Sequence, residues 1–338
     1  MTIQKNPFTQ TLFVLVVLTV LGVSSCKKDN LDTTGLPYNP DKHIYGKVQF
    51  NQTEEYEVVI DPISGIFDTI AGTRRAAGSL SLPVGTKSLH SFENDHRFFI
   101  DEEASLFRLF FQNLESLAYG NITMIDQDNP SKKVNSAQYL TFGATENEIY
   151  LFDADKSIWK INLQDGSAHQ RFTHEIFPDD FTPKAVLYVN QGDDLLFVQD
   201  ASSSADVTKL ILFDQASATI LDQQDISGAF GFVKYPKEDR FYFLEIPDGT
   251  EGFRLMELKT SGETLNVQAK SDKDLPIDEL SPYLQTIHTA TNTYICRGGS
   301  NSIENSTNTL YSISLETGAL TNEAVLYDSG ILLNLAGE

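Results

Sequence analysis

The residues of this chain best suited to hold a ligand are cations, aromatic side chains and histidines in its second half. They are Arg297, Lys184, Tyr188, Lys234, Tyr235, His288, His174 and Tyr283. Lys132 and Lys133 extend this set. The formal net charge of the chain is -22, and a basic, aromatic group within an acidic protein favours an anionic or aromatic ligand. The alternative is that Tyr188, Tyr235 and His288 only pack in the interior and that the cations are solvated.

Acidic pairs are the second candidate chemistry, because Ca²⁺ takes about six to eight oxygen ligands. Such pairs occur at Asp153-Ala154-Asp155 and at Asp179-Asp180. No EF-hand spacing surrounds them, so the sequence favours solvated turns and predicts neither a metal nor a cofactor. A metal-dependent lactonase would instead need carboxylates to converge on an ion in a channel, for example those of Asp101, Asp153 and Asp200.

The sequence lacks the common catalytic motifs. It has no HExxH or HxH histidine pattern, no GxSxG elbow, no P-loop and no Rossmann glycine run. The acidic charge also leaves no broad basic surface that could neutralise phosphates, so we expect no nucleic-acid partner. These residues favour a binding role over an enzymatic one.

Residues 1–25 have the features of an export signal. Lys5 precedes an apolar run from Leu12 to Val23, and small residues lead to Cys26. The run is too short to span a bilayer, which takes about 20 apolar residues. The segment from Leu21 to Cys26 resembles a bacterial lipobox, which implies that Cys26 is lipidated and begins the mature protein. The alternative is an ordinary secreted protein.

Residues 26–41 are polar and turn-rich, which predicts a flexible tether ahead of a domain formed by residues 42–338. Lys27 stands where an Asp would argue for inner-membrane retention in the enteric lipoprotein system. The resemblance therefore implies a lipid-anchored protein of the outer membrane, either periplasmic or surface-exposed. With Cys26 lipidated, Cys296 has no intramolecular disulfide partner, and its apolar setting predicts a small buried side chain.

An internal repeat of about 50 residues runs through the rest of the chain. Short turns containing Gly or Ser, each preceded by an apolar alternating run, recur 45 to 56 positions apart. A second series of polar turns falls between them, so each unit contains two hairpins. Four short strands per unit are the composition of a β-propeller blade. Within residues 138–172 the predicted strands, from the channel outward, are Gln138–Gly143, Ile149–Asp153, Ile158–Leu163 and Ala168–Phe172.

Five units fit this template, but the first unit lacks the innermost strand. It begins directly with Ile44–Phe50, Tyr56–Asp61 and Gly65–Ile70. We expect the apolar run Gly330–Leu335 to supply the missing strand, so that the fold is an all-β, six-bladed β-propeller closed by the C-terminal strand completing the first blade. Alternatives are a frayed C-terminal tail, seven blades if residues 72–89 contain further strands, and two packed sandwiches.

The connections between strands differ in length on the two faces of such a propeller. Connections from the first to the second strand and from the third to the fourth are tight. The others are long, and they share the opposite face, the long-loop face. We expect binding on the long-loop face, because rigid scaffolds place recognition on long loops. Its segments are Gln199–Thr208, Pro247–Gly252, Arg297–Thr307, Asn121–Ala137, Thr173–Pro183 and Ser271–Pro282.

The lipobox and the repeats together resemble divergent β-propeller lipoproteins of diderm bacteria, over nearly the whole mature chain. Some members of that group serve TonB-dependent uptake of siderophores or glycans. The resemblance therefore implies a non-enzymatic protein that binds a small ligand or an outer-membrane transporter. Two alternatives stay open at this point: the lactonase-like hydrolase described above, and a structural subunit of an envelope assembly.

Overall fold

Every regular element among the described residues is a β-strand. In the computed structural model of this chain, the described residues are 41–50, 54–69, 75–76, 88–91, 96–100, 106–112, 116–122, 125–135, 137–145, 147–162, 167–172, 177, 181–201, 204–236, 238–247, 249, 252–277, 280–298, 309–326 and 331–336. Of the described residues between 75 and 122, and of Tyr283, only the backbone is described. The predicted export signal, Cys26 and the tether up to residue 40 lie outside these ranges. The described residues contain no helix long and apolar enough to cross a membrane.

The strands follow one another in chain order with short connections. The first seven are β1 (Ile44–Phe50), β2 (Glu54–Ile60), β3 (Phe67–Thr69), β4 (Arg75–Ala76), β5 (Ser88–Ser91), β6 (His96–Ile100) and β7 (Leu106–Gln112). The next nine are β8 (Ser116–Ile122), β9 (Ala137–Phe142), β10 (Glu148–Asp153), β11 (Ile158–Asn162), β12 (Ala168–Phe172), β13 (Pro183–Val189), β14 (Asp194–Ala201), β15 (Ser204–Asp214) and β16 (Thr219–Ser227). The last nine are β17 (Ala229–Lys234), β18 (Arg240–Glu245), β19 (Arg254–Ser261), β20 (Thr264–Ala269), β21 (Leu280–His288), β22 (Thr293–Gly298), β23 (Thr309–Ser314), β24 (Leu320–Val325) and β25 (Ile331–Ala336).

Five antiparallel sheets have four strands each, taken from one continuous stretch of chain. We name them blade I (β5–β8), blade II (β9–β12), blade III (β13–β16), blade IV (β17–β20) and blade V (β21–β24). The strands predicted within residues 138–172 agree with β9 to β12 to within one residue at each end. The repeat length therefore identified real four-stranded units.

The remaining sheet, here called the composite sheet, joins the two ends of the chain. Its strand order is β25-β1-β2-β3, and β4 also pairs with β2. Strand β25 is antiparallel to β1, with Gly46 opposite Leu335 and Gln49 opposite Ile331. The predicted pairing of the C-terminal strand with the first strand is confirmed.

The predicted count of blades is corrected: the structure has five four-stranded blades, not six or seven. The composite sheet is not a sixth copy, because its outer position is divided between two short strands. Strand β3 pairs with Val58 to Ile60 of β2, while β4 pairs with Glu54 and Glu55. Within residues 72–89 the described strands are β4 and the start of β5, and they form no additional sheet.

The sheets contact one another through their first strands. Strand β5 contacts β9, β9 contacts β13, β13 contacts β17, β17 contacts β21, and β21 contacts β25. The first strands of successive sheets therefore lie side by side at the centre. This arrangement is an all-β propeller fold.

Packing between blades explains the apolar runs of the sequence. The second strand of a blade lies between two neighbouring blades, so Phe241 to Leu244 on β18 are all buried. The last strand lies at the edge, and all residues of β16 are exposed or half-buried. Phe197 of blade III packs with Phe152 of blade II, and Leu196 packs with Phe243 of blade IV. Each such side chain contributes about 1.5–3 kcal/mol by leaving water.

One predicted insertion on the long-loop face is wrong. Residues 199–201 belong to β14 and residues 204–208 belong to β15, and the two strands pair as a hairpin with Asp200 opposite Thr208. The added length therefore continues the sheet instead of forming a loop. Similarly, the end of the segment Ser271–Pro282 lies in β21.

Candidate functional site

The binding residues expected from the sequence lie at two ends of the blades. Lys184 stands near the start of β13, and Tyr188 stands near the end of the same strand. Four residues of strand separate their Cα atoms by roughly 13 Å. Lys234 and His288 are the last residues of β17 and β21, so they lie with Tyr188 on the face of the tight turns, which we call the turn face. His174 lies outside the described residues.

Lys184 and Arg297 lie at the other end of the blades, where each side chain forms polar contacts with other residues of the chain. Lys184 forms an ion pair with Asp200 and donates to Thr208 Oγ1 at 3.0 Å. Arg297 is 1% exposed, and its Nη1 donates to the carbonyl oxygen of Leu332 at 3.4 Å. Burial lowers the pKa of Arg297. The structure therefore places Arg297 where blade V meets the closing strand β25.

Two further residues singled out in the sequence, His288 and Cys296, are buried in the structure. His288 is fully buried, with Nδ1 2.7 Å from the hydroxyl oxygen of Thr291, so it packs beneath its own turn. Cys296 is also fully buried, and burial raises the pKa of its thiol. The sequence prediction of a small buried Cys296 is confirmed.

A tyrosine pair joins blade II to blade III on the turn face. The rings of Tyr150 and Tyr188 stack with centroids 5.4 Å apart and planes at 9°. Both hydroxyl groups donate to Asp193 Oδ1, at 3.0 Å from Tyr150 and 2.8 Å from Tyr188. Asp193 holds the turn between β13 and β14 with φ of 60°, a conformation that Asp tolerates better than most residues. One turn residue therefore fixes two aromatic rings.

A lysine lies over each outer side of this pair. Lys160 Nζ is 5.5 Å from the centroid of Tyr150, and Lys234 Nζ is 5.0 Å from the centroid of Tyr188. Each contact has the geometry of a cation–π interaction. The stack therefore combines side chains of blades II, III and IV. We call Lys160, Tyr150, Tyr188, Lys234 and Asp193 the tyrosine–lysine cluster.

The turn residues of blade IV hold those of blade III. Asp239 accepts hydrogen bonds from the backbone N–H groups of Asn190 at 2.6 Å and Gln191 at 2.8 Å. Lys234 Nζ donates to Asn190 Oδ1 at 3.0 Å and lies 3.7 Å from Asp239 Oδ1. These bonds align two neighbouring turns and explain why Lys234 points toward blade III.

Desolvation shifts the pKa values of the cluster. Burial lowers the pKa of Lys234 to about 8, although Asp239 opposes the shift. Burial raises the pKa of Tyr188, and the hydrogen bond to Asp193 raises it further. Burial and then the charge of Asp193 raise the pKa of Tyr150, although Lys160 opposes the shift. The tyrosines therefore stay protonated donors, while Lys234 loses its proton more readily than a solvated lysine.

Asp194 is a buried acid at a position that is polar but less buried in the two adjacent blades. The residue that closes the first hairpin is Glu148 in blade II and Arg240 in blade IV, whose carbonyl oxygens accept the N–H groups of Gly143 and Tyr235, and Asp194 in blade III. Glu148 and Arg240 are half-buried, whereas Asp194 is 4% exposed. Burial raises the pKa of Asp194 to about 6, helped by the charges of four other acids, chiefly Asp214.

Among the described residues, one group of side chains has the arrangement of metal ligands. It consists of Asp126, Asp128 and His169, whose ligand atoms lie within 4.8 Å of one another. Asp126 Oδ1 already accepts the backbone N–H groups of Asp128 at 2.9 Å and Asn129 at 3.3 Å. Those bonds are the pattern of a polar turn, so the group has a structural explanation without a metal.

The carboxylates considered for a lactonase do not form such a group among the described residues. Asp153 Oδ2 accepts hydrogen bonds from Trp159 Nε1 at 2.9 Å and from the N–H of Asn135 at 3.3 Å. Asp153 Oδ1 accepts the N–H groups of Asp155 and Ser157. The side chain of Asp153 therefore stabilises its own turn. Asp101 and Asp179–Asp180 lie outside the described residues.

Sequence reasoning missed Tyr150, Lys160, Asp193, Asp194 and Asp239. Asp193, Asp194 and Asp239 belong to polar turns that recur in every unit, so the sequence marks them as turn residues. The repeats align Asp194 with Glu148 and Arg240, which are also polar, so nothing in the sequence marks its burial. No sequence signal connects Tyr150 to Asp193 either, because the contact crosses from one blade to the next.

No protein-family model matches this chain, and no curated protein sequence matches it. A solved structure from Bacteroides uniformis, described as a "putative 6-phosphogluconolactonase", is similar to it with a TM-score of 0.52 and 12% identity, over 87% of this chain and 97% of that one. The β-propeller domain of Cps50 (Swd1) from Myceliophteria thermophila has a TM-score of 0.46 and 9% identity, over 72% of this chain and 86% of that one. U3-55K has a TM-score of 0.43 and 9% identity, over 70% of this chain and 63% of its own length. At these identities the similarity shows the propeller fold alone.

Proposed function

We propose that this chain is a lipid-anchored, non-enzymatic binding propeller of the outer membrane, and that the turn face of blades II to IV is its binding side. The lipid anchor at Cys26 and the outer-membrane location rest on the lipobox-like segment. A role beside an outer-membrane transporter, as an accessory to TonB-dependent uptake, rests on the resemblance to propeller lipoproteins. The part of the proposal that concerns the binding side rests on the geometry described above.

One observation carries the choice of face: polar side chains join three successive blades at the turn ends of blades II to IV. The tyrosine–lysine cluster and Asp194 lie there, and the pKa values of Lys234 and Asp194 are shifted to about 8 and about 6. Perturbed groups of this kind mark functional sites more often than random surface. Lys184 and Arg297, on the long-loop side, are instead engaged with Thr208 and Leu332.

The local charge also decides what the turn face attracts. Lys160 is paired with Glu148 at 3.1 Å, and Lys234 is paired with Asp239. Four acids act on Asp194, namely Asp214, Asp193, Asp239 and Glu263. The balance is negative. The sequence predicted an anionic or aromatic ligand, and the charge of the turn face disfavours an anionic one.

Photo-crosslinking in the producing cells tests the binding side. A crosslinking amino acid is placed at the exposed position 191 on the turn face, with the exposed position 133 on the opposite connection as the matched control. We expect a crosslinked partner, or a ligand detected by intact-mass spectrometry, from position 191 only. Products from position 133 alone, or from neither position, would contradict the proposal.

The lipid anchor is tested separately with a Cys26→Ser variant. The full chain is expected in the membrane fraction, labelled by a fatty-acid analogue, and the variant in the soluble fraction without label. Equal labelling of both chains would remove the lipid anchor from the proposal and leave the binding side unaffected.

A further inference from the structure

The side chain of Asp194 faces the cleft between blades III and IV at the turn face. Successive side chains of a strand point to opposite sides of the sheet. Asp194 therefore shares its side with Leu196 and Val198, which pack with Phe241 of blade IV. At the turn end of this cleft, Gln191 Oε1 accepts the N–H of Gly262 at 3.4 Å, so turns of both blades border it.

The carboxylate of Asp194 has no hydrogen-bond donor among the described residues, although only 4% of the residue is exposed. Both its oxygens lie against the Cα of Gly192, where an added Cβ would come within 3.1 Å of Oδ1. Gly192 itself is exposed at the apex of the turn, so the carboxylate lies directly beneath the surface. A largely buried carboxylate without donors from the chain is costly, so its hydrogen bonds are made with water or with a bound group.

A second buried acceptor next to Asp194 also lacks a donor. Gln215 is 3% exposed, and its Nε2 donates to the carbonyl oxygen of Asp193 at 2.7 Å. That carbonyl belongs to the peptide group that joins Asp193 to Asp194. The Oε1 atom of Gln215 is buried and has no hydrogen-bond partner within the described part of the chain. A second acceptor without a donor therefore belongs to a side chain that is bound at the Asp193–Asp194 peptide group.

The charges around the cleft are acidic. Asp214 comes from the same blade, while Asp239 and Glu263 come from the two turns of blade IV. Lys234, the cation of the adjoining stack, is directed to Asn190 and Asp239. A ligand group that satisfies this cleft must carry positive charge and donate hydrogen bonds.

We propose that the cleft between blades III and IV binds a primary ammonium group of the ligand or partner, with Asp194 as the main acceptor. This inference rests on the turn face being the binding side. An ammonium is a compact charge with three donors, which suits a carboxylate that lies beneath a tight turn and among other acids. A metal ion suits the cleft less well, because no three ligand atoms there lie within 4.8 Å of one another among the described residues.

Calorimetric titration of the full chain with tetralysine tests the inference. An Asp194→Asn variant keeps the shape of the side chain and removes its charge. Glu316→Gln, in an exposed turn of blade V on the same face, is the matched control for net charge. We expect Asp194→Asn to weaken tetralysine binding roughly 10-fold or more, and Glu316→Gln to change it less than about 2-fold.

A second probe separates hydrogen bonding from general attraction. The same peptide with trimethylated side-chain nitrogens keeps its charge but has no N–H donors there, so we expect it to bind as weakly to the native chain as tetralysine binds to Asp194→Asn. Equal affinity of the two peptides, or equal effects of the two substitutions, would overturn the inference. If position 191 still crosslinks a partner in that case, the turn face remains the binding side and only the ammonium assignment fails. A Glu263→Gln variant tests the acidic surroundings of the cleft without altering a buried residue, because Glu263 lies in an exposed turn. This variant should weaken tetralysine binding about 2- to 5-fold.

Discussion

Tyr150 and Tyr188, from adjacent blades, stack with their ring planes at 9° and donate to the same carboxylate oxygen of Asp193. The contact links blade II to blade III at the turn face, where ring packing alone would leave two hydroxyl groups without acceptors. A single acid in a turn thus sets the relative position of two blades.

Removing one of these hydroxyl groups tests that link. Tyr188→Phe keeps the stacked ring and loses one donor to Asp193, so we expect the free energy of unfolding to fall by about 0.5–1.5 kcal/mol. Urea denaturation measures the change. Because both tyrosines use one acceptor oxygen, the double variant with Tyr150→Phe should depart from the sum of the single effects. Strict additivity would show that the two bonds are independent.

Gly231 tests how closely blades IV and V approach. It has φ of 68°, its carbonyl oxygen accepts a hydrogen bond from the Tyr294 hydroxyl at 2.7 Å, and an added Cβ would overlap that hydroxyl and meet Gln285 at 2.9 Å. Gly231→Ala should therefore cost about 2–4 kcal/mol of unfolding free energy, from backbone strain and overpacking together.

Gly249 is the matched control for this substitution. Its φ is 77°, and nothing lies within 4 Å of an added Cβ. Gly249→Ala should show the backbone cost alone, about 1–2 kcal/mol. If both variants lose the same stability in urea, the close approach at Gly231 contributes nothing.

The closing strand gives a third prediction. Leu332 of β25 is 1% exposed and packs with Ile44 and Leu284, while the neighbouring Leu333 is half-buried. Leu332→Ala should lower the unfolding free energy by about 2–5 kcal/mol, and Leu333→Ala by less. Similar losses in thermal or urea unfolding would mean that β25 is not packed as described.

The ionised side chain of Asp194 should lower the free energy of unfolding at neutral pH. Its pKa is about 6 in the folded chain against an ordinary value of 3.8, so the folded state binds the proton more tightly than the unfolded state does. Above pH 6 the buried carboxylate is charged and destabilises the fold; as the pH falls through 6 toward 3.8, protonation relieves that cost.

We therefore expect Asp194→Asn to raise the unfolding free energy at about pH 7.5 by about 1–3 kcal/mol, with the gain shrinking toward pH 4. Urea unfolding at several pH values measures it, with Glu316→Gln as the control. A variant that is less stable than the native chain at neutral pH would show that the carboxylate is satisfied within the fold. A gain in stability is expected where a residue serves binding at the expense of packing.

The strands were predictable because burial on both faces imposes apolar runs such as Phe241 to Leu244, and because the turns between them recur at a regular interval. The closure by residues 331–336 was predictable for the same reason: an apolar strand at the end of the chain requires a partner. The blade count was not, because the sequence gives no sign that the outer position of the composite sheet is divided between β3 and β4.

The binding face could not be read from loop length. The length at Gln199 to Thr208 extends a hairpin, and the interactions of the turn face join residues far apart in sequence, such as Tyr150 and Asp193, which are 43 positions apart. Lys184 and Tyr188 look alike as candidates in the sequence, yet they lie at opposite ends of one strand. Only the pairing register assigns each to a face.

The affinity for tetralysine as a function of pH tests the proposed role of Asp194 most directly. The charges of Asp214, Asp193, Asp239 and Glu263 act on Asp194, and its own pKa is about 6. Lys234, which adjoins the cleft, has a pKa of about 8 and is mostly protonated below about pH 7. The account predicts that the affinity of the native chain falls roughly 10-fold between about pH 7 and pH 5, as the carboxylate is protonated, and that Asp194→Asn is weak and nearly flat over that range. A native chain with no pH dependence, or an Asp194→Asn variant with the same dependence, would contradict it.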